Sequence, residues 1–134
     1  MLKLSNQPTV CPPFSRYSQA VEAPAGLRWL HVSGQVGVRP DGTLAGAGFA
    51  AQAEQAWNNL LAVLAAAGMG PADLVKVNVF LTRPGDVAES RRIRDAALGG
   101  AEPASTLAVV AGLARPDWLF EVEAVAARDR GRTT

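Results

Sequence analysis

The chain has 134 residues, a formal net charge of +1 at pH 7 and a sequence pI near 8.0, which suits one domain with a sizeable core. This near-neutral balance argues against nucleic acid or an anionic membrane surface as a partner. The single cysteine, Cys11, excludes an internal disulfide framework and a cysteine-rich metal site, and it fits a reducing, cytoplasmic compartment. We expect neither a secretory signal nor a membrane span, because no stretch has the required apolar length.

The first elements in chain order are predicted to be an irregular, proline-containing arm over residues 1–15 and two strands, at 16–23 and 27–38. One side of the second strand is predicted to carry Leu30, Val32, Val36 and Val38, and the other side Trp29, His31, Ser33 and Gln35. Gly34 interrupts this strand. It indicates either a bulge or barrel bend, or a close approach by a ligand or another backbone, and both interpretations stay open.

Helical periodicity then predicts a long helix from Phe49 to Ala67, with Gly68 as its C-terminal stop. Its apolar stripe comprises Phe49, Ala53, Trp57, Leu60, Leu64 and Ala67. Its polar residues are interpreted as the solvated face: Gln52, Glu54, Gln55, Asn58 and Asn59.

A third strand and a second helix follow. The strand is predicted to direct these residues into the core: Val75, Val77, Val79 and Leu81. The helix is predicted to start at Asp86, which forms a capping-box-like pattern with Glu89, and to end near Leu98. Its three arginines are interpreted as a solvated face that includes an Arg91–Asp95 pair: Arg91, Arg92 and Arg94.

Two final strands, within 103–112 and 119–126, contain the densest set of candidate site residues. Alternation in the last strand predicts that these residues share one side: Phe120, Val122, Ala124 and Ala126. Glu121 and Glu123 share the opposite side, where a carboxylate pair on a mostly apolar strand indicates solvent, a polar network or a site. Strand parity is interpreted as directing Ser105, Leu107 and Glu121 toward one pocket.

This element order predicts an α+β fold, a mixed sheet with two helices packed on one face. The other face is predicted to carry Trp29, His31, Ser33, Gln35, Leu107, Val109, Leu119, Glu121 and Val125. Such a set is too apolar to leave in water, so we expect a closed homo-oligomer with a site between subunits. We assign residues 1–15 to the arm, 16–128 to a single domain and 129–134 to a flexible tail.

From Tyr17 to Ala126, nearly the whole chain, the sequence resembles the RidA/YjgF family. The resemblance rests on YSQAV (17–21), VSGQVGVRPDG (32–42), the helix at 52–68, LVKVNVFLTRPGD (74–86), the PA of PAST (103–106) and FEVEAVAA (120–127). It implies a chorismate-mutase-like fold and a homotrimer with a central barrel, whose clefts between subunits bind a small molecule without a cofactor. It also implies a chemistry, the hydrolysis of reactive enamines and imines to a 2-oxo acid and ammonia.

The resemblance assigns roles to particular residues. It implies that Tyr17 forms part of the cleft wall, that the backbone of Ser33 and Gly34 lines the cleft, and that Glu121 orients the attacking water. Ser105 stands where deaminating members have an arginine that grips the substrate carboxylate. Serine cannot form that bidentate pair, whose loss costs a few kcal/mol of binding, so this departure argues against the usual 2-imino acids rather than against a ligand.

Other departures concern the same cleft. Leu107 stands where a cysteine is frequent, Arg91 where an asparagine is expected, and AAL at 96–98 replaces a phenylalanine-rich helix end. With Tyr17, Ser33, Gly34 and Ser105, both Arg91 and Leu107 are candidate substrate-binding residues. It stays open at this point whether Arg16, Arg28 or Arg91 supplies the missing charge from another direction.

Two classes of function follow from these residues. One is a hydrolase in which Glu121 acts as the water-positioning base and backbone amides near Ser105 polarise the reacting atom. The other is a non-catalytic ligand-binding or regulatory trimer that uses the same cleft. RNA cleavage is also associated with the family, but this sequence shows neither the basic patch nor the aromatic residues for base stacking that RNA binding requires. His31 and Cys11 are expected to be structural, since neither has a partner at metal-ligand or nucleophile-base spacing.

Overall fold

A computed structural model describes residues 1–131, so the end of the predicted tail, 132–134, lies outside the described residues. Eight main elements follow one another in chain order: β1 (Lys3–Ser5), β2 (Ala20–Glu22), β3 (Arg28–Val36), α1 (Phe49–Ala66), β4 (Leu74–Leu81), α2 (Val87–Leu98), β5 (Ala104–Val109) and β6 (Phe120–Arg128). Short 3₁₀ turns precede β4 and α2. Over this part of the chain, neither α-helix has the length and apolar character needed to cross a membrane.

The main sheet has the strand order β3-β6-β4-β5. β6 is antiparallel to both β3 and β4, whereas β5 is parallel to β4. The parallel pair needs a crossover connection, and α2 provides it. Both helices pack on one face of this mixed sheet, so the predicted α+β class is confirmed.

The core lies between the sheet and the two helices. Trp57 and Leu60 of α1 pack with Phe120 and Val122 of β6, and all four are essentially inaccessible to solvent. Phe49 meets Phe120 edge to face, with 5.8 Å between ring centroids. Each large apolar side chain buried in this way contributes about 1.5–3 kcal/mol. The predicted apolar stripe of α1 is therefore confirmed as its core-facing side.

Two irregularities in the sheet overturn predicted side-chain directions. The register of β4 on β6 shifts between Leu74 and Lys76, and Leu74 is buried in place of the predicted Val75. A second shift lies between Val32 and Gln35 in β3. After such a bulge the alternation changes phase, because one extra residue occupies the strand.

The second shift moves Val36 to the opposite face from the one predicted. It pairs with Glu121, whereas Gln35 pairs with the buried Val122. The prediction that Val36 shares the side of Val32 is therefore wrong.

Two polar residues of α1 were expected on the solvated face, and this is wrong. Gln52 is fully buried; its amide nitrogen donates to the carbonyls of Gly46 and Asp117, both at 3.0 Å, and its oxygen accepts from the Leu119 amide at 2.8 Å. Asn59 donates to the carbonyls of Val36 and Val38. Loops that cross the helix bring buried backbone groups that need partners, and these amides supply them.

The start of α2 differs from the predicted capping box. Asp86 accepts a hydrogen bond from Arg83 Nε at 2.8 Å and forms no side-chain cap. Asp95 pairs with Arg94 rather than with Arg91, and Arg94 is buried instead of solvated.

The N-terminal arm is also more regular than predicted. Its β1 pairs with β2 in a separate two-stranded antiparallel sheet. Gln19 and the polar residues around β1 strengthen this attachment, since the amides of Gln7 and Gln19 donate at 2.7 Å to the side chains of Gln19 and Asn6.

Candidate functional site

A buried serine attaches the N-terminal arm to the start of β5. Ser18 donates through its hydroxyl to the Glu102 carbonyl at 2.6 Å and through its amide to the Pro103 carbonyl at 3.2 Å. It forms a parallel bridge with Ala104. These bonds place the adjacent Tyr17 beside the start of β5.

The first of two candidate half-sites is a pocket between the arm, α2 and β5, which we call the arginine pocket. It has a volume of about 180 Å³. Its walls are Ser15, Tyr17, Arg91, Arg94, Ser105 and Leu107. The structure thus brings together the predicted substrate-binding residues Tyr17, Arg91, Ser105 and Leu107.

The second half-site is a shallow pocket around Glu121, which we call the glutamate pocket. It has a volume of about 350 Å³. Its walls are Phe80, Val110, Gly112, Leu113, Ala114 and Glu121. Ser33 and Gly34 lie at the bulge of β3, and Val36 just beyond the bulge pairs with Glu121.

Gly34 leaves room for the Glu121 side chain. A Cβ atom at position 34 would overlap the Glu121 carboxylate, so a side chain there forces the carboxylate to move. The interpretation of Gly34 as a bulge is therefore confirmed, whereas close approach by a ligand or another backbone stays a prediction. One group does approach the Gly34 backbone closely. In this chain that group is its own carboxylate.

The two half-sites open on opposite sides of the sheet. Ser105 aligns with Val77 on β4, and Val77 aligns with Ala124 on β6, both of which face the helices. Glu121 instead aligns with Phe80 on the open side. The prediction that Ser105, Leu107 and Glu121 share one pocket is therefore wrong within a single chain.

Leu107 shows the same placement, since it packs against the core beneath the helices. The alternation within β5 and β6 was predicted correctly, but alternation does not determine the phase between neighbouring strands.

The open face is consequently more polar than predicted. Leu107 and Val109 lie on the helix side by register, opposite Val79 and Leu81. By register the open face carries Trp29, His31, Val36, Lys76, Asn78, Phe80, Thr106, Ala108, Glu121, Glu123, Val125 and Ala127. The prediction for Trp29 is therefore confirmed, whereas the predictions that Gln35, Leu107 and Val109 lie on this face are wrong.

The two glutamates of β6 differ in their environment. Glu123 accepts a hydrogen bond from Asn78 Nδ2 at 3.0 Å, so it belongs to a small polar network. Within residues 1–131, no donor lies within hydrogen-bonding distance of the Glu121 carboxylate, which is half-buried. Of the two, Glu121 is the one whose oxygens remain available to water or to a ligand.

Arg94 is a site residue that the sequence interpretation missed. It lines the arginine pocket and is 6% exposed. Its three-residue spacing from Arg91 was a usable signal, because residues three apart on a helix lie on the same side.

His31 and Cys11 lie outside both half-sites, and the Cys11 thiol is exposed. Among the described residues, no three potential metal ligands form a group that could hold an ion.

A mixed sheet with two helices on one face, an edge pocket with two arginines and a carboxylate on the open face define a small α+β protein with two candidate half-sites. Residues 8–128 match the family model described as endoribonuclease L-PSP. Similar proteins include DfrA of Myxococcus xanthus, 36% identical over 82% of this chain and 83% of that protein. Another is the 2-iminobutanoate/2-iminopropanoate deaminase of Mus musculus, 37% identical over 82% of this chain and 79% of that protein.

The same fold occurs in a protein of unknown function of the Rid family, YyfB from Yersinia pestis. That structure superposes with a TM-score of 0.85 at 34% identity, covering 95% of this chain and 98% of the other. The chain therefore belongs to the RidA/YjgF family and has its chorismate-mutase-like fold.

Proposed function

We propose that three copies of the chain form a ring in which the arginine pocket of one copy meets the glutamate pocket of the next. The support is geometric: each pocket holds part of the candidate residues, and the sheet separates them within one chain. A head-to-tail contact between two different surfaces closes into a ring when its rotation allows. The open sheet face, which neither helix covers, supplies a surface for this contact.

In the resulting cleft we propose hydrolysis of an imine, an enamine or a related small carbonyl compound. Glu121 positions a water molecule and accepts a proton as the water oxygen bonds to the C=N carbon. Glu121 returns this proton to the imine nitrogen as the C=N π bond opens. The carbinolamine that forms then passes its hydroxyl proton to the same nitrogen as the C–N bond breaks, leaving a carbonyl compound and ammonia. The single observation that carries this role is a half-buried carboxylate without a hydrogen-bond donor among the described residues, accommodated by Gly34.

Ser105 influences the choice of substrate. Because position 105 on β5 is a serine, this strand offers no guanidinium there to bind the carboxylate of the usual 2-imino acids. The deaminase name of the mouse relative supports imine chemistry as a class. The alternative is a ligand-binding or regulatory trimer with the same cleft, which differs only in having no turnover.

The test is to compare Glu121→Gln with Glu123→Gln on imines with and without a carboxylate, generated in the assay from amino acids by an amino-acid oxidase and from primary amines by a flavin amine oxidase. We expect Glu121→Gln to lower kcat/KM by about 10²-fold or more, the range for loss of a general base. Glu123→Gln, on the same strand and face, is expected to stay within about threefold. Equal effects of the two substitutions, or turnover unchanged by Glu121→Gln, would exclude this role for Glu121.

A further inference from the structure

We infer that the arginine pocket is an anion-binding site in which Arg91 of α2 supplies the positive charge that Ser105 cannot. The inference rests on the proposed cleft and specifies its ligand: a small anion held from the helix rather than from β5. The first support is position, because Arg91 and Ser105 are walls of the same pocket of about 180 Å³.

The second support is the balance of charge in and around this pocket. Arg94 donates through Nε and Nη2 to Asp95 Oδ1 at 3.1 and 2.9 Å, so its charge is already balanced. Arg91 is half-buried, and within residues 1–131 it has no carboxylate at ion-pairing distance. Among the pocket walls there is no acidic residue. The pocket therefore has one uncompensated positive charge.

The third support is the presence of neutral donors around that charge. The Tyr17 oxygen accepts from the Phe14 amide at 3.3 Å, which leaves its own proton to donate. Ser15 and Ser105 contribute hydroxyl groups to the same walls. A guanidinium with several hydroxyl donors in a partly dry pocket matches the oxygens of a carboxylate or a phosphate.

Arg92 provides a matched control on the same helix. It lies next to Arg91 in sequence, but it does not line the pocket and it forms an ion pair with Glu89. The hydrogen bond from Arg92 holds the pKa of Glu89 below its ordinary value, as expected for a charge already paired. Substituting Arg92 removes one positive charge from α2 without altering the pocket.

The experiment is calorimetric titration of wild-type protein with 2-oxobutanoate, inorganic phosphate and uncharged butanone at constant ionic strength. We expect at least one of the two anions to bind, and butanone to bind about tenfold more weakly or not at all. Arg91→Gln is expected to weaken anion binding about tenfold or more, as for loss of a hydrogen-bonded charge. Arg92→Gln is expected to change it less than about twofold, and Arg91→Lys to give an intermediate loss.

Two comparisons identify the ligand and separate this inference from the proposed function. Preference for phosphate over 2-oxobutanoate, or the reverse, identifies the chemical source of the anion. Glu121→Gln should abolish turnover without weakening anion binding, whereas Arg91→Gln should weaken binding, so turnover and binding report on different residues. The inference is overturned if wild-type protein binds neither anion, if butanone binds as well as 2-oxobutanoate, or if folded Arg91→Gln and Arg92→Gln proteins bind alike.

Discussion

At the scale of single residues, Gly34 and Gly37 differ in the atoms that a methyl side chain, added by substitution with alanine, would contact. At Gly34 an added Cβ overlaps the end of the flexible Glu121 side chain. At Gly37 it overlaps the backbone of Gln52 in α1, which cannot move independently. Neither glycine has a positive φ angle, so the requirement is for space rather than for backbone freedom.

Gly34→Ala is therefore expected to separate activity from stability. The displaced carboxylate should lower turnover toward the level of Glu121→Gln, while the free energy of unfolding changes by less than about 1 kcal/mol, because a flexible side chain yields easily. Gly37→Ala should lower the free energy of unfolding by about 1–3 kcal/mol, the usual cost of overpacking. Kinetic assays and urea denaturation check both, and a Gly34→Ala protein with wild-type turnover would contradict the link to Glu121.

At the scale of elements, α1 is attached to two loops by one buried amide. Gln52 holds the Gly46 carbonyl on one side and both Asp117 and Leu119 backbone groups on the other. Truncating it leaves three part-buried backbone groups without their side-chain partner, and each such group costs up to about 1–3 kcal/mol where water does not replace that partner.

We expect Gln52→Ala to lower the free energy of unfolding by about 2–4 kcal/mol. The exposed Asn58 on the same helix is the control, and Asn58→Ala should stay within about 0.5 kcal/mol of wild type. Urea denaturation monitored by tryptophan fluorescence measures both. Similar midpoints for the two variants would show that water replaces the lost amide contacts.

Periodicity was sufficient to predict the elements other than β1, the core side of α1 and the alternation in β6. It failed at Val36 and Leu74, because each lies next to a bulge. A bulge arises from how two strands pair, and it reverses which face of the sheet each later side chain of the strand occupies. The same limit applies to Ser105 and Glu121. Their chemistry was visible in the sequence, but the side of the sheet that each occupies depends on the register of β5 on β4 and of β4 on β6.

Buried polar residues were the second feature that could not be predicted from the sequence. Gln52 and Arg94 have the composition of a solvated helix surface, and only the loops, the arm and the neighbouring helix that pack around them make them interior. Composition and spacing carry no information about such covering segments, which come from distant parts of the chain.

At the scale of the whole molecule, the proposed cleft requires that the two half-sites be joined between copies. Within one chain the sheet separates Ser105 from Glu121, so a short cross-linker cannot connect them. Between neighbouring copies in a ring, the same two positions face each other across the proposed cleft. Each copy would then be linked to two others, since every copy offers both positions.

The most direct test is cysteine cross-linking of a Cys11→Ser, Ser105→Cys, Glu121→Cys protein with a short bismaleimide, followed by denaturing mass spectrometry. The exposed native thiol is removed so that only the two introduced thiols react. For this protein we predict covalent species of up to three times the 14.0 kDa chain mass. The controls are the two proteins that carry only Ser105→Cys or only Glu121→Cys in the Cys11→Ser background, and these should give unlinked chains. Single chains that carry reagent on both cysteines but remain unlinked would contradict a site assembled from two copies.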